Sequence, residues 1–240
     1  PAHAIVSSDG SINTENSRID IHANAKPANS VGVNSIVVGY QNTTDDQNGT
    51  TALGANNQAY GNSGLAVGNQ NESRGGASTA IGAGNRASGA ATVAIGNVSN
   101  ANAKSAIAIG SYNNVNYKKG TWATAPLQAG AYSTVVGNYS SATGRESAAM
   151  GVYSNSVGPG SFAAGYKENA LGQNSVAIGS ENTSHVADTI TLGQQNNAKT
   201  MGGISIGKNN LTDSSNDGRN AANTRDENSQ IAIGRDNEAT

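Results

Sequence analysis

The side chains that could carry chemistry are few and scattered in this sequence. Its three histidines, His3, His22 and His185, lie far apart and lack the spacing of a metal-binding motif. The stretch GAGNRASG at residues 82–89 is glycine-rich like a phosphate-binding loop, but such a loop needs a helix after its glycines, and the pattern here predicts a strand. Serines are too numerous for any serine, histidine and carboxylate grouping to stand out. We therefore expect no enzyme activity, no metal and no cofactor.

A contact surface is the other candidate. Trp122, the only tryptophan, lies close in sequence to Tyr117, Lys118 and Lys119. Aromatic and cationic side chains are over-represented where interfaces gain their energy, so this cluster is the best candidate binding patch. The alternative is that Trp122 buries itself against the fold or a neighbouring chain, and we favour that alternative.

Composition argues against an ordinary globular core. Only 35% of the 240 residues are hydrophobic and 4% aromatic, while 31 are glycine. The formal charge of −2 is not the net positive charge that is typical of proteins that bind nucleic acid or an anionic membrane surface. There are no cysteines, and no apolar run approaches the length of a membrane span. A narrow repetitive fold is the class that would use so many small residues.

Glycines mark a repeat of 14 residues. A second glycine often follows seven residues after the first, so each unit splits into two halves, and we predict two strands and two turns per coil. The glycines that close the first half are Gly39, Gly54, Gly68, Gly82, Gly96, Gly110, Gly137, Gly151, Gly165, Gly179, Gly193, Gly207 and Gly234.

Each of these glycines follows an alternation of large and small side chains. Aliphatic residues stand three and one places before it, with a small residue, usually alanine, between them. Because alternate residues of a strand share a face, we expect the aliphatics to point inward and the alanines to form a second covered face, against another copy of the chain. The predicted core comprises Ile36, Val38, Val93, Ile95, Ile107, Ile109, Val176 and Ile178.

The second half of each unit is more polar. Asparagine usually stands three places after the first glycine, and a small residue such as Ala59 or Ala87 stands five places after it. Since glycine and asparagine tolerate positive φ, both suit the corners of a coil. We expect the small residue to face a narrow interior, and equal polar side chains of neighbouring coils to form hydrogen-bonded ladders.

The repeat resembles the head domains of YadA-like trimeric autotransporter adhesins. The motifs that carry the resemblance are NSIVVG at 34–39, ATVAIG at 91–96, SAIAIG at 105–110 and NSVAIG at 174–179, and the similarity covers roughly residues 34–240. It implies an all-β fold, a left-handed parallel β-roll (a solenoid) of 14-residue coils, with three identical chains side by side.

The resemblance also implies a function. It predicts a virulence-associated adhesin on the outer surface of a Gram-negative bacterium, attached through a stalk and an outer-membrane barrel that this sequence lacks. The usual ligands would be collagen, fibronectin or laminin on host matrix, or other cells and surfaces, without membrane contact by the head. The alternative is a structural spacer or self-association module with no dedicated ligand. An acyltransferase solenoid would show an 18-residue turn, and an ice-binding solenoid would show paired threonines along one face.

Parts of the chain depart from the repeat. Residues 1–33 do not repeat, and we predict that they form an N-terminal cap, in which SRIDIHA at 17–23 supplies a strand that closes the open end of the roll. The β-roll of residues 34–240 is expected to carry insertions near 117–129 and 213–227. Both insertions enter at the same corner of the coil, where solenoids often bind partners.

Overall fold

The computed structural model describes residues 19–22, 35–44, 47–115, 130–213 and 230–239. All regular structure in these ranges is β-strand, and none of the described residues lies in a helix long and apolar enough to cross a membrane. The chain divides into two compact units, residues 1–111 and 112–240. The first predicted insertion, with Tyr117 to Trp122, lies outside the described residues, and so does the second apart from Asp213.

The first unit is built from alternating long and short strands. Its long strands form one parallel sheet, and its short strands form a second. The long strands are β1 (Ile19–His22), β2 (Ile36–Tyr40), β4 (Thr51–Ala55), β6 (Leu65–Asn69), β8 (Thr79–Ala83), β10 (Val93–Asn97) and β12 (Ile107–Ser111). The short strands are β3 (Thr43–Thr44), β5 (Gln58–Ala59), β7 (Glu72–Ser73), β9 (Arg86–Ala87) and β11 (Asn100–Ala101).

The second unit follows the same plan. Its long strands are β14 (Thr134–Asn138), β16 (Ala148–Val152), β18 (Phe162–Tyr166), β20 (Val176–Ser180), β22 (Ile190–Gln194), β24 (Ile204–Lys208) and β26 (Ile231–Arg235). Its short strands are β13 (Asn114–Val115), β15 (Ser141–Ala142), β17 (Asn155–Ser156), β19 (Asn169–Ala170), β21 (Thr183–Ser184), β23 (Asn197–Ala198), β25 (Leu211–Thr212) and β27 (Glu238–Ala239).

The register of the strands confirms the predicted 14-residue coil. Each long strand pairs in parallel with the long strand of the next coil, so that glycine meets glycine and aliphatic meets aliphatic. Ile95 opposes Ile109 in the first unit, for example, and Val176 opposes Ile190 in the second. The strand predicted in SRIDIHA is also confirmed, because β1 pairs in parallel with β2. The division into a cap of residues 1–33 and a roll of residues 34–240 stays a prediction.

The interior of each coil is lined by small residues, which corrects the prediction that the large aliphatics point inward. The second residue of each long strand from β2 to β26 is buried, as at Ala66 and Ala163, and so is the second residue of most short strands, as at Ala59 and Ala170. Ala52, Ala59 and Ala66 pack as one cluster across the two sheets. A coil of 14 residues leaves too little space between its sheets for Val or Ile from both sides. The predicted alternation of large and small side chains is confirmed, but the small residues face the interior and the large aliphatic residues face outward.

A ladder of buried asparagines runs along the interior, as predicted for stacked polar side chains. Nδ2 of Asn71 donates to Oδ1 of Asn57 in the preceding coil at 3.0 Å, and Nδ2 of Asn85 donates to Oδ1 of Asn71 at the same distance. The same contact joins Asn182, Asn196 and Asn210 in the second unit. Each amide therefore satisfies backbone and side-chain groups that no water reaches.

The corners of the coil differ from the prediction in one respect. The ladder asparagines are not at positive φ; that conformation falls on the residue just before each of them, such as Asn56 at φ 54° before Asn57 and Gln70 at φ 55° before Asn71. The first glycine of each unit is at positive φ as expected, with φ 113° at Gly54. The second glycine is needed for space instead, because a Cβ at Gly61 would collide with the carbonyl of Gly75 in the next coil.

Candidate binding surfaces

The large aliphatic side chains form an exposed face in each unit. In the first unit Ile36 is 37% exposed and Ile109 is 36% exposed, while the other predicted core residues of that unit, Val38, Val93, Ile95 and Ile107, are half-buried. The register stacks these side chains in two columns, one on each side of the buried alanines. We call these columns the aliphatic face.

The aliphatic face of the second unit has the same form. Val176 and Ile178, which were also predicted as core, are half-buried there. Exposure rises at the last long strand, where Ile231 is 57% exposed and Ile233 is 64% exposed. Soluble monomers rarely expose contiguous apolar columns of this kind, so the face has the character of a contact surface rather than of a solvated one.

A row of tyrosines follows one corner of the second unit. Tyr112, Tyr139 and Tyr153 each stand two residues after the first glycine of a coil, and their rings stack with centroids 4.9 and 5.2 Å apart. Tyr166 closes the row edge-on to Tyr153 at 6.5 Å. About half of each ring is exposed. We call these four residues the tyrosine row.

Polar and charged side chains occupy the same corner in the following coils. Lys167 Nζ lies 5.0 Å from the ring centroid of Tyr166 and 3.5 Å from Oε1 of Glu181, and Nε2 of Gln195 donates to Oε2 of Glu181 at 3.0 Å. Hydrogen bonding to Gln195 first, and then to Lys167, lowers the pKa of Glu181. Hydrogen bonding to Tyr166 first, and then to Glu181, raises the pKa of Lys167. The corner is therefore aromatic at one end and ionic further along.

The histidine and acidic side chains that the structure describes do not form a group suited to catalysis. Across the described ranges, no three His, Asp or Glu side chains come together as metal ligands would. His185 is exposed, although partial desolvation of its ring and then the charge of Lys199 lower its pKa. His22 lies in β1, and His3 is outside the described residues. The predicted contact residues Tyr117, Lys118, Lys119 and Trp122 are also outside them, so that patch stays a prediction.

Sequence reasoning missed the tyrosine row, although a signal for it exists. Tyrosine recurs at one position of three coils, Tyr112, Tyr139 and Tyr153, if coils are counted across the predicted insertion. Parallel register then places the three rings one above another.

A comparison with protein families assigns the repeat. The model of the YadA head domain repeat matches residues 30–57, 47–71, 73–99, 87–113, 129–154, 142–167 and 169–184, which together take in more than half of the chain. The chain belongs to the YadA head family. A search of curated proteins gave no significant match. The matched YadA head segments include all four motifs on which the resemblance was based, and they fall in both units, so the aliphatic face and the tyrosine row are surfaces of YadA head repeats. Family membership supports an adhesin-type role at a cell surface.

Proposed function

We propose that this YadA head chain is the binding module of a homotrimeric surface adhesin, and that its aliphatic face is the surface through which the chains associate. The observation that carries the proposal is that Val and Ile side chains line the outside of the coil while alanine lines the inside. Moving each partly exposed aliphatic side chain into an interface contributes on the order of 1 kcal/mol, and the columns repeat that contribution along every coil. The same proposal includes a left-handed coil in each of the three chains, which lie side by side.

Association explains how a chain with so small an interior is stabilised. Each coil buries alanine, serine and asparagine, which remove little apolar surface from water. A second and a third copy packed on the aliphatic face would supply the missing apolar burial. Closed symmetric assemblies are the usual outcome for identical chains.

Adhesion through this assembly would rest on repetition rather than on a deep pocket. Three copies of each exposed surface can contact a ligand at once, and such multivalency converts weak contacts into durable attachment. The proposed ligands are matrix proteins such as collagen, fibronectin or laminin, or other cell or abiotic surfaces. Tyr117, Lys118, Lys119 and Trp122 remain the proposed contact residues within the insertion near 117–129. No turnover of a substrate is part of the proposal.

The experiment is solid-phase binding to a panel of matrix proteins and bare surfaces. The variants are the double substitution Ile95→Asp and Ile178→Asp on the aliphatic face, a control with Gln58→Asp and Asn169→Asp on the short strands, and a deletion of residues 117–129. Light scattering should report dissociation of the first variant only.

We expect the dissociated variant to lose most of its binding and the control to keep it. Equal binding by a single chain would contradict the multivalent mechanism. No binding to any surface by the intact protein, with the assembly preserved, would favour a structural spacer or self-association module. Unchanged binding after the deletion would remove the insertion from the contact surface.

A further inference from the structure

One position of the buried ladder holds a carboxyl group instead of an amide. Glu168 stands three residues after Gly165, where other coils carry asparagine or serine, and its side chain is fully buried. Its Oε1 accepts from Nδ2 of Asn182 at 3.1 Å and from the backbone N–H of Asn182 at 3.4 Å. Its Oε2 is buried and has no hydrogen-bond partner. Half of the carboxyl group is therefore satisfied and half is not.

The neighbouring coils show what the unsatisfied oxygen replaces. Nδ2 of Asn182 donates to the carbonyl of Ile178 at 3.0 Å and to that of Gly193 in the next coil at 2.8 Å. The corresponding carbonyls for Glu168 are those of Ala164 and Gly179, and no side-chain hydrogen bond of the described residues reaches either. A carboxylate has only acceptors, whereas a neutral carboxylic acid carries one O–H donor. A proton on Oε2 would supply the donor that the asparagine amide supplies elsewhere.

Among the residues that the structure describes, no cationic side chain pairs with the carboxyl group of Glu168. The ladder neighbours are Ser154 and Asn182, and neither titrates near neutral pH. On the outside of the corner the ammonium group of Lys167 is paired with Glu181 and lies over the ring of Tyr166. Burial, opposed in part by the hydrogen bonds from Asn182, raises the pKa of Glu168 to about 7.

We propose that protonation of Glu168 controls the stability of the ladder at this position. In mildly acidic solution it takes a proton from solvent on Oε2, and the O–H donates to the carbonyl of Gly179 or Ala164, so that the ladder is complete. In mildly alkaline solution the proton returns to solvent and a carboxylate whose Oε2 has no donor remains buried, which weakens the coils that contain Ser154 and Asn182.

The direction of the effect follows from the ordinary pKa of 4.5 in the unfolded chain. Because the folded pKa lies above that value, the stabilisation is fully present below about pH 4.5 and is lost as the pH rises through about 7. From this group alone, the equilibrium constant for unfolding should rise roughly 50- to 100-fold between about pH 5 and about pH 8.

The test compares the natural 240-residue chain with its Glu168→Gln and Glu168→Asn variants. Denaturant midpoints are measured between pH 5 and 8, and Glu181→Gln serves as the control for an exposed glutamate in the next coil. Infrared spectra near pH 6 report the carbonyl stretch of a protonated carboxylic acid. We expect the natural chain to lose stability as the pH rises, both Glu168 variants to lose that dependence, and the carboxylic acid band to disappear in both.

Three results would overturn the proposal. One is an equal pH dependence in the natural chain and in the two Glu168 variants. The second is a spectrum near pH 6 without a carboxylic acid band that depends on Glu168. The third is failure of both Glu168 variants to fold where the natural chain folds, which would mean that a neutral side chain cannot serve at this position.

Discussion

Removal of one ladder amide should cost far more stability than its polar character suggests. The side chain of Asn71 has five hydrogen-bonding partners: the two hydrogens on its Nδ2 are shared among Oδ1 of Asn57 at 3.0 Å, the carbonyl of Val67 at 2.9 Å and the carbonyl of Gly82 at 2.7 Å. Its Oδ1 accepts from the backbone N–H of Asn85 at 3.1 Å and from Nδ2 of Asn85 at 3.0 Å. Two N–H donors and two bonds accepted by Oδ1 make about four hydrogen bonds, so at a net value of about 1 kcal/mol each Asn71→Ala should lose about 3 to 4 kcal/mol, the lower figure allowing for a water in the vacated space.

Two further variants make this measurement decisive. Asn71→Ser should lose about half as much as Asn71→Ala, because Ser99 at the equivalent position still donates to the carbonyl of Gly110 at 3.1 Å. Asn69→Ala, at an exposed site of the same coil, should change the free energy of unfolding by less than about 0.5 kcal/mol. Guanidinium unfolding, with hydrogen exchange of the amides in the flanking coils, measures all three. A loss at Asn71→Ala no larger than at Asn69→Ala would refute the ladder as a source of stability.

Two other contrasts test the coil and its tyrosine corner. Gly68→Ala should destabilise the chain by about 3 kcal/mol or more, because the residue is at φ 117° and an added Cβ would collide with the carbonyl of Gly82. Gly76→Ala should be tolerated, because the atom nearest to its added Cβ lies 3.9 Å away. Similar thermal midpoints for the two variants would contradict the close approach of the coils. Tyr139→Ala should abolish the near-ultraviolet circular dichroism of the stacked rings and lower the free energy of unfolding by about 1 kcal/mol. Tyr40→Ala should leave that signal intact. An unchanged spectrum in Tyr139→Ala would mean that the rings do not stack.

The repeat could be predicted from the sequence, but the direction in which it faces could not. Glycines at a fixed spacing determine the length of the coil, and parallel register follows because equal positions must stack. Alternation shows that Ile95 and Ala94 lie on opposite faces without saying which face is inside. Hydrophobicity favours isoleucine for the interior, and this reasoning fails here because the sheets of a 14-residue coil are too close together to admit it.

The candidate surfaces were less predictable than the fold. The ladder was foreseen because asparagine recurs at one position, but the same position was also given a corner conformation that belongs to the preceding residue, Asn56 or Tyr139. That conformation depends on how the chain leaves the long strand, which residue preferences alone do not reveal. To recognise the tyrosine row from the sequence, the coils before and after residues 116–129 must first be aligned in register. The role of Glu168 is recognisable only once the ladder is known to be buried.

The measurement that tests the account most directly is the mass of the natural chain in solution by sedimentation equilibrium. The account holds that the aliphatic face is covered by other copies of the chain. It therefore predicts a species of three times the chain mass of 24.0 kDa. A stable species of 24.0 kDa at the same concentration, with the aliphatic face in water, would contradict it.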